Sequence, residues 1–323
     1  MTGRRVIAVD LGGTHIRVGI IDDSGHLQHH ARIATRSAEG PQSVIERMAD
    51  LVERTAAKAG LDDGTPIGVS SPGPLNPRTG TVLFTPNLPG WRDVPFASIL
   101  QDRTNRRVAL QNDGNCAALG ERRFGSAQGV DDLIFFALGT GVGGGIISGG
   151  QLIDGVRGLG AEVGHMGIAL DGPRCSCGSI GCLESFVSGW AIKREAEAVA
   201  TTADGDRIRE LAGDGEIHAG VVAQAAEEGN PAAKAILDRA GRALGAAIGA
   251  LTNIFNPRMI VIGGGVAAIG DHLLGPAREA MPIHSFVDMR ADVTITYSAL
   301  GQDTGIYGAA ALALDMGNVP AES

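Results

Sequence analysis

The chain has 323 residues, 44% hydrophobic and 20% charged, with a formal net charge of −9 and a pI near 5.4. This length suits one large domain or two ordinary ones, and we expect two lobes. No apolar run approaches the length of about 18 residues that a membrane span needs. The acidic balance offers no basic face for nucleic acid. We therefore expect neither a membrane nor a nucleic acid as a partner.

The first residues, MTGRRVIAVDLGG, join a basic pair to a short β-type run and a glycine turn. They lack the longer apolar core and the cleavage site of a secretory signal peptide. Three of the four cysteines fall in one short segment, which fits a reducing compartment better than a disulfide framework. The sequence therefore predicts a cytoplasmic protein.

Strand-like runs alternate with helical stretches along the chain. Four β-rich runs end in glycine clusters or turns: RVIAVDLGG, PIGVSSPG, DLIFFALGTGVGGG and RMIVIGGGVA. Helical stretches such as SVIERMADLVERTAAKAG lie between them, and residues 188–252 are rich in alanine and helical in pattern. This alternation predicts an α/β architecture.

The first glycine cluster is VDLGGTHIRVGI, residues 9–20, in which one strand ends at Asp10 and a second begins after Thr14. Gly12 and Gly13 would let backbone N–H groups approach phosphate oxygens, and Thr14 adds a hydroxyl. Asp10 is placed to hold Mg²⁺ through water. An ordinary β-hairpin turn is the alternative for this motif taken alone.

A candidate general base follows in QNDGNCAALGERRFG, where a short strand runs into Asn112 and Asp113 and then into a helix. A carboxylate at the carboxyl end of a strand is well placed to accept a hydroxyl proton during phosphoryl transfer. The alternative is that Asp113 or Asn115 is only the N-cap of the helix. Its position between two phosphate-type loops makes Asp113 the catalytic candidate.

Two further glycine clusters follow strands. Gly139, Thr140 and Gly141 would cradle the other side of the same phosphates, and Gly264 and Gly265 follow an apolar strand and are suited to face adenosine. Neither cluster has the spacing of a P-loop or of the G-x-G-x-x-G dinucleotide motif. Together with the first cluster they predict one nucleotide-binding cleft.

The segment Ala161–Glu184, AEVGHMGIALDGPRCSCGSIGCLE, predicts a metal site. Cys175, Cys177 and Cys182 have C-x-C-x4-C spacing, and His165 precedes them by ten residues. Three thiolates and an imidazole are a ligand set that Zn²⁺ prefers in closed sites, and four protein ligands leave no position for catalytic water. We therefore expect structural Zn²⁺. The alternatives are buried apolar cysteines, or a disulfide pair with one cysteine left over.

These motifs together resemble the ROK family of sugar kinases and repressors over nearly the whole chain. The match is carried by DLGGTHIRVG, QNDGNCAALGE, LGTGVGGGI, the E-x-G-H of residues 162–165 and CSCGSIGCLE. The resemblance implies an actin-like ATPase (ribonuclease H-like) fold with sugar and ATP in a central cleft. It implies a small lobe of residues 1–117 plus 303–323, a large lobe of residues 118–302, and a homodimer or homotetramer.

The resemblance also implies roles for the matching positions. Asp113 would take the proton from the sugar 6-hydroxyl. The sugar would be held by Gly73, Asn87, Asn112, Asp113, Glu162, His165 and Glu184. The nucleotide and Mg²⁺ would face Asp10, Gly12, Gly13, Thr14, Gly139, Thr140, Gly141, Gly264 and Gly265. If one ring nitrogen of His165 binds zinc, the other can donate to a sugar hydroxyl.

The segment SPGPLNPRTGTVLFTPNLPGWRDVP resembles the ATP-dependent glucokinases of this family. We therefore expect ATP-dependent phosphorylation of glucose to glucose 6-phosphate. The alternatives are a kinase for N-acetylmannosamine, N-acetylglucosamine, fructose or allose, a polyphosphate-dependent kinase, or a sugar-sensing ROK regulator. The regulator is disfavoured because the D-x-G-G-T motif begins at residue 10, which leaves no room for a preceding helix-turn-helix domain.

Overall fold

A computed structural model describes residues 3–85 and 88–316 of the chain. The chain divides into two compact units. The first comprises the described parts of Met1–Val130, Gly145–Ala161 and Ser298–Ser323, and the second comprises Asp131–Gly144 and Glu162–Tyr297. None of the described helices combines the length and the apolar character that crossing a membrane requires.

The described residues form thirteen strands and eleven α-helices. The strands are β1 (Arg5–Leu11), β2 (His15–Asp22), β3 (Leu27–Ala34), β4 (Ile67–Ser71), β5 (Leu75–Asn76), β6 (Thr81–Phe84), β7 (Arg92–Val94), β8 (Val108–Asn112), β9 (Leu133–Leu138), β10 (Val142–Ser148), β11 (Gln151–Leu152), β12 (Met259–Gly263) and β13 (Thr294–Tyr297). The helices are α1 (Gly40–Lys58), α2 (Phe96–Thr104), α3 (Asp113–Phe124), α4 (Glu184–Val187), α5 (Gly189–Ala200), α6 (Asp206–Ala212), α7 (Ala219–Glu227), α8 (Pro231–Phe255), α9 (Asp271–His284), α10 (Val287–Arg290) and α11 (Thr304–Asp315).

Two five-stranded sheets share one strand order. The first is β3-β2-β1-β4-β8 and the second is β11-β10-β9-β12-β13, so each sheet has its own first strand at the centre. The strand β1 is antiparallel to β2 and parallel to β4, and β12 is parallel to both β9 and β13. The short strands β5, β6 and β7 form a separate antiparallel sheet. The common order indicates two related halves.

The central strand β1 is apolar because both of its faces are covered. Ile7 and Val9 point into a core that also contains the apolar residues of α1, whereas Val6 and Ala8 pack with the apolar residues of α11. A strand buried on both faces is typically a continuous apolar run. Because β1, β4 and β8 are parallel, the carboxyl end of β1, at Asp10, lies at the edge of the sheet where β4 and β8 also end.

Helix α11 lies very close to the sheet and to α3 because glycines stand at the contacts. A Cβ atom at Gly68 of β4 would lie 1.9 Å from the carbonyl oxygen of Ala309, and one at Gly308 would lie 2.0 Å from that of Cys116. No side chain fits at such distances. The segment before α11 is held by Glu121, a fully buried carboxylate that accepts hydrogen bonds from Ser126 and from the backbone of Leu300.

In the second unit the longest helix, α8, packs against α9 in a similar way. Its glycines at positions 241, 245 and 249 each face a backbone carbonyl of α9. A Cβ atom added at these glycines would lie 2.3, 2.4 and 2.9 Å from the carbonyl oxygen. The spacing of four residues places them on one face of α8. Small residues on one face let the two helix backbones approach closely, which explains the alanine- and glycine-rich sequence of this region.

We expect Gly308→Ala to destabilise the protein by about 1–3 kcal/mol, because the added methyl group overpacks the contact between α11 and α3. The control is Gly64→Ala in the same unit, where the new Cβ would only touch the Asp62 side chain at 3.5 Å. The control variant should unfold within about 0.5 kcal/mol of the parent protein in urea. Equal unfolding midpoints for the two variants would contradict the close packing.

Candidate active site and metal centre

The first hairpin, residues 10–15, is a tight turn between β1 and β2. The N–H group of Gly12 donates to the carbonyl of His15 over 2.9 Å, and the Thr35 hydroxyl donates to the carbonyl of Gly12 over 2.6 Å. Gly13 and Thr14 are exposed at its tip. The hairpin thus presents backbone N–H groups and one hydroxyl, as a phosphate-binding loop requires.

The carboxylate of Asp10, at the start of this hairpin, is held by an arginine. Arg17 lies directly opposite Asp10 on β2, and its Nε and Nη2 atoms donate to Oδ2 of Asp10 over 2.9 and 2.6 Å. Arg17 also donates to Oδ1 of Asp303 over 3.0 Å and to the carbonyl of Gln302 over 2.8 Å. The Asp10 carboxylate is therefore fixed by a charged network within the first unit.

Asn112 and Asp113 lie where β8 passes into α3. The N-cap of α3 is Asn112, whose Oδ1 accepts the N–H of Gly114 over 2.9 Å. The alternative that Asp113 or Asn115 is the cap residue is therefore wrong. Asp113 is the first helical residue; its side chain is exposed, and its Oδ1 also accepts the N–H of Gly114, over 2.8 Å.

Gly73 lies beside Asn112, since a Cβ atom there would be 2.8 Å from Nδ2 of Asn112. In the parallel register Ser70 of β4 pairs with Asp10, and Ser71 pairs with Asn112. Only β4 separates the ends of β1 and β8, so Asp10 and Asn112 are roughly 10 Å apart at the usual strand spacing. The first unit therefore brings Asp10, Gly73, Asn112 and Asp113 to one edge of its sheet.

The second hairpin, residues 138–142, joins β9 to β10, and its loop is as long as that of the first hairpin. The Gly139 N–H donates to the carbonyl of Gly141 over 2.9 Å, and Thr140 is exposed at the tip. Gly264, with φ at 88°, approaches so closely that a Cβ atom would lie 2.2 Å from the carbonyl oxygen of Leu138. The second and third glycine clusters are therefore neighbours in the second unit.

The four predicted metal ligands lie together. One ligand atom from each of His165, Cys175, Cys177 and Cys182 falls within 4.8 Å of all the others. The Sγ atoms of Cys177 and Cys182 are 3.8 Å apart, and Nδ1 of His165 is 3.6 Å from Sγ of Cys175. A tetrahedral ion with Zn–S bonds of about 2.3 Å and Zn–N bonds of about 2.0 Å requires separations close to these. The ligand set therefore fits Zn²⁺.

Short backbone ladders hold the cysteine knuckle, which we define as residues 165–182. Isolated bridges pair Gly167 with Cys182 and Arg174 with Ile180. Burial raises the pKa of Cys175 and raises that of Cys182 to about 12, whereas the N–H and hydroxyl of Ser179 lower the pKa of Cys177 to about 7. At neutral pH without metal, Cys175 and Cys182 remain thiols, so metal binding must release their protons.

Two glutamates flank the knuckle and differ in their surroundings. Partial removal from water raises the pKa of Glu162; the proximity of His165 opposes this shift, and the charge of Glu184 adds to it. Glu184 is buried, which disfavours its charge, but the N–H of Val142 and the hydroxyl of Ser176 stabilise the carboxylate and lower its pKa. The second unit thus brings Glu162 and Glu184 close to the candidate metal ligands, His165 among them.

Asn87, one of the predicted sugar-binding residues, lies outside the described residues. Conversely, the sequence-based predictions do not include Arg17, Asp303 or Ser176, which contact predicted site residues. A signal existed only for Arg17, because an arginine placed symmetrically to Asp10 about a hairpin turn forms a cross-strand pair of opposite charge. Asp303 and Ser176 reach their partners only through tertiary structure.

The two five-stranded sheets and their hairpins define a class, since similar solved structures include ROK sugar kinases, which have the actin-like ATPase fold. The ROK hexokinase of Thermus thermophilus superposes with a TM-score of 0.86 at 33% identity, covering 98% of this chain and 100% of that one. A ROK glucokinase of Streptomyces griseus, in complex with glucose and AMPPNP, superposes with a TM-score of 0.79 at 33% identity. The match covers 96% of this chain and 99% of that one.

The model of the ROK family matches residues 6–316, and the chain belongs to this family. Among its relatives is the glucokinase of Thermotoga maritima, which is 36% identical over 309 residues, or 95% of this chain and 96% of the relative.

The Asp10–Arg17 pair should show a coupling energy of about 1–2 kcal/mol, because both side chains are largely shielded and the bond is charge-assisted. The measurement is a double-mutant cycle of Arg17→Ala and Asp10→Asn, followed by urea unfolding. The exposed pair of Arg103 and Asp50, 3.9 Å apart, is the control and should couple by less than about 0.5 kcal/mol. Additive effects of the Arg17 and Asp10 substitutions would contradict the fixed geometry.

Proposed function

We propose that the protein transfers the γ-phosphoryl group of ATP to the 6-hydroxyl of glucose, forming glucose 6-phosphate and ADP. The observation that carries this proposal is the exposed Asp113 carboxylate at the sheet edge that also holds the Asp10 hairpin. Full-length similarity to two proteins described as glucokinases supports the choice of glucose. The AMPPNP bound to one of them supports ATP as the donor.

In the proposed reaction Asp113 accepts the proton of the sugar hydroxyl while that oxygen forms its bond to the γ-phosphorus. The bond from the γ-phosphorus to the bridging oxygen breaks, and ADP leaves with the bond electrons. Phosphoryl transfer needs little covalent chemistry from the protein, so one base and aligned donors are sufficient. Because the Asn112 cap and the start of α3 hold Asp113 in place, its carboxylate is oriented before substrate binds.

We propose that both hairpins bind the phosphates: Gly13, Thr14, Thr140 and Gly141 would donate from N–H groups and hydroxyls, while Gly12 and Gly139, whose N–H groups bond across the turns, would let the phosphates approach the backbone. Gly264 and Gly265 would face adenosine. Mg²⁺, when bound, would neutralise the charge that develops on the phosphates. Asp10 is the residue that would hold it through water, since Arg17 uses Oδ2 and no described residue donates a hydrogen bond to Oδ1.

The sugar is proposed to bind through Gly73, Asn87, Asn112, Glu162, His165 and Glu184. Nδ1 of His165 lies on the side of the cysteines, so a zinc ion bound there would leave Nε2 protonated and able to donate to a sugar hydroxyl. Zinc would thereby orient a substrate-binding group without taking part in the reaction. Assembly as a homodimer or homotetramer and the lobe boundaries stay predictions.

The test of this function is an assay of ADP release by zinc-loaded protein with Mg²⁺ and ATP. The acceptors are glucose, mannose, fructose, N-acetylglucosamine and N-acetylmannosamine. We expect the highest kcat/KM with glucose. A higher kcat/KM with an N-acetylated sugar would show that this sugar, and not glucose, is the substrate. No turnover with any acceptor would overturn the proposal of a hexose kinase.

We expect Asp113→Asn to lower kcat by a factor of about 10²–10⁴, because it removes the general base. Glucose affinity, measured by calorimetry, should stay within about threefold, since most sugar contacts remain. The matched control is Asp271→Asn, because Asp271 is likewise the exposed first residue of a helix, α9. Its turnover should equal that of the parent protein. Normal turnover by a folded Asp113→Asn variant would exclude Asp113 as the base.

Removal of zinc should weaken glucose binding and lower the melting temperature together, because the ion fixes His165 and closes the knuckle. Metal content is measured by mass spectrometry before and after chelation, and we expect one zinc ion per chain in the purified protein. Cys177→Ser should reproduce the metal-free behaviour, whereas Cys116→Ser changes a cysteine outside the cluster and should retain the zinc. Metal-free protein that binds glucose as tightly as loaded protein would refute this role of zinc.

A further inference from the structure

Glu184 connects the cysteine knuckle to the second hairpin. The proposed reaction does not itself require this connection. Its Oε1 accepts the hydroxyl proton of Ser176 over 2.7 Å and lies 3.6 Å from Sγ of Cys175. Its Oε2 accepts the backbone N–H of Val142 over 2.9 Å. Ser176 belongs to the cysteine knuckle, and Val142 is the last residue of the second hairpin. One carboxylate therefore bonds to both.

The second hairpin rests directly on this carboxylate. A Cβ atom at Gly141 would lie 2.6 Å from Oε2 of Glu184, so a side chain there would displace the carboxylate. The remaining anchors of the hairpin come from the residues that follow Glu184, because the N–H of Gly189 donates to the carbonyl of Gly139 over 2.8 Å and that of Trp190 to Thr140 over 3.4 Å. Residues 184–190 thus hold the hairpin from one side.

The same segment begins two residues after the metal ligand Cys182. The Ser185 hydroxyl donates to the carbonyl of Cys182 over 2.7 Å, which ties the segment to the knuckle. Glu184 is only 7% exposed, and a buried carboxylate is costly unless its donors stay in place. Ser176 lies between two metal ligands, so its hydroxyl is held towards Glu184 most firmly when an ion binds Cys175 and Cys177 together.

We propose that Glu184 is a positioning residue through which the metal-loaded knuckle orders the second hairpin, so that metal occupancy sets the affinity for the nucleotide phosphates. This proposal rests on the proposed function where it names the hairpin as a phosphate loop. The role proposed for Glu184 differs from that of His165. Through His165 the metal would act only on sugar binding. The link passes from the metal ligands to Ser176, then to Glu184 and then to the N–H of Val142.

The experiment measures the hairpin without any substrate. Hydrogen exchange is followed by mass spectrometry in peptides covering residues 139–147, in zinc-loaded and in chelated protein, with metal content verified in each. We expect exchange in the chelated protein to be faster by about tenfold or more, since opening of the hairpin then costs less. AMPPNP affinity, measured by calorimetry with Mg²⁺ and without sugar, should fall by about fivefold or more.

Ser176→Ala isolates the link, because Ser176 is neither a metal ligand nor among the proposed substrate-binding residues. With zinc bound, this variant should show faster hairpin exchange and weaker AMPPNP binding, by about threefold or more, and zinc removal should then change both less than in the parent protein. The matched control is Ser179→Ala, which removes a hydroxyl that interacts with Cys177 and does not contact Glu184. Its hairpin exchange should match that of the parent.

Two results would overturn the proposal: hairpin exchange that is unchanged by zinc removal, or equal effects of Ser176→Ala and Ser179→Ala, which would indicate general loosening of the knuckle. The exchange measurement needs neither glucose nor turnover. Absence of glucose phosphorylation alongside zinc-dependent hairpin exchange would therefore refute the proposed function and leave the structural link established.

Discussion

Each candidate phosphate hairpin depends on one constraint: a turn nearly free of side chains must directly follow a central strand that is buried on both faces. Burial of β1 and β9 fixes where each strand ends, and glycine at the turn leaves the backbone N–H groups uncovered. In both hairpins the N–H of the first glycine is bonded across the turn, and a threonine stands exposed at the tip. The related strand order of the two sheets places a glycine turn of equal length after each central strand.

The carboxylates of the candidate site differ in how strongly they are held, and this difference matches their proposed roles. Asp10 is fixed by Arg17, and Glu184 is buried between two donors, so neither is suited to exchange a proton readily. Asp113 is exposed at the start of a capped helix. A carboxylate with a fixed backbone and an accessible side chain is what a general base requires.

The cysteine knuckle provides rigidity in a segment that has little apolar packing of its own. Its residues are rich in glycine, and several are exposed, so hydrophobic burial cannot hold the loop. Metal coordination supplies folding free energy at such places. Because His165 and Ser176 both belong to the knuckle, the proposed ion would influence the sugar side and the nucleotide side through different residues.

The sequence by itself determined the α/β class, the three glycine clusters, the candidate metal ligands and the family, because each depends on local spacing or on strand periodicity. His165 and the three cysteines lie within one short segment, so a local loop is sufficient to bring their side chains together. The alternative that Asp113 or Asn115 caps helix α3 is wrong, because Asp113, Asn115 and Asn112 all have side chains that cap helices, and only the backbone conformation selects Asn112.

Only the tertiary structure decided which distant groups meet. Arg17 contacts Asp303 across 286 positions of the chain, and Glu184 contacts Val142 across 42. The close approach of α11 to β4 and α3 likewise depends on glycines whose neighbours in space are remote in sequence. Such contacts follow from how sheets and helices pack, and no local pattern of residues encodes them.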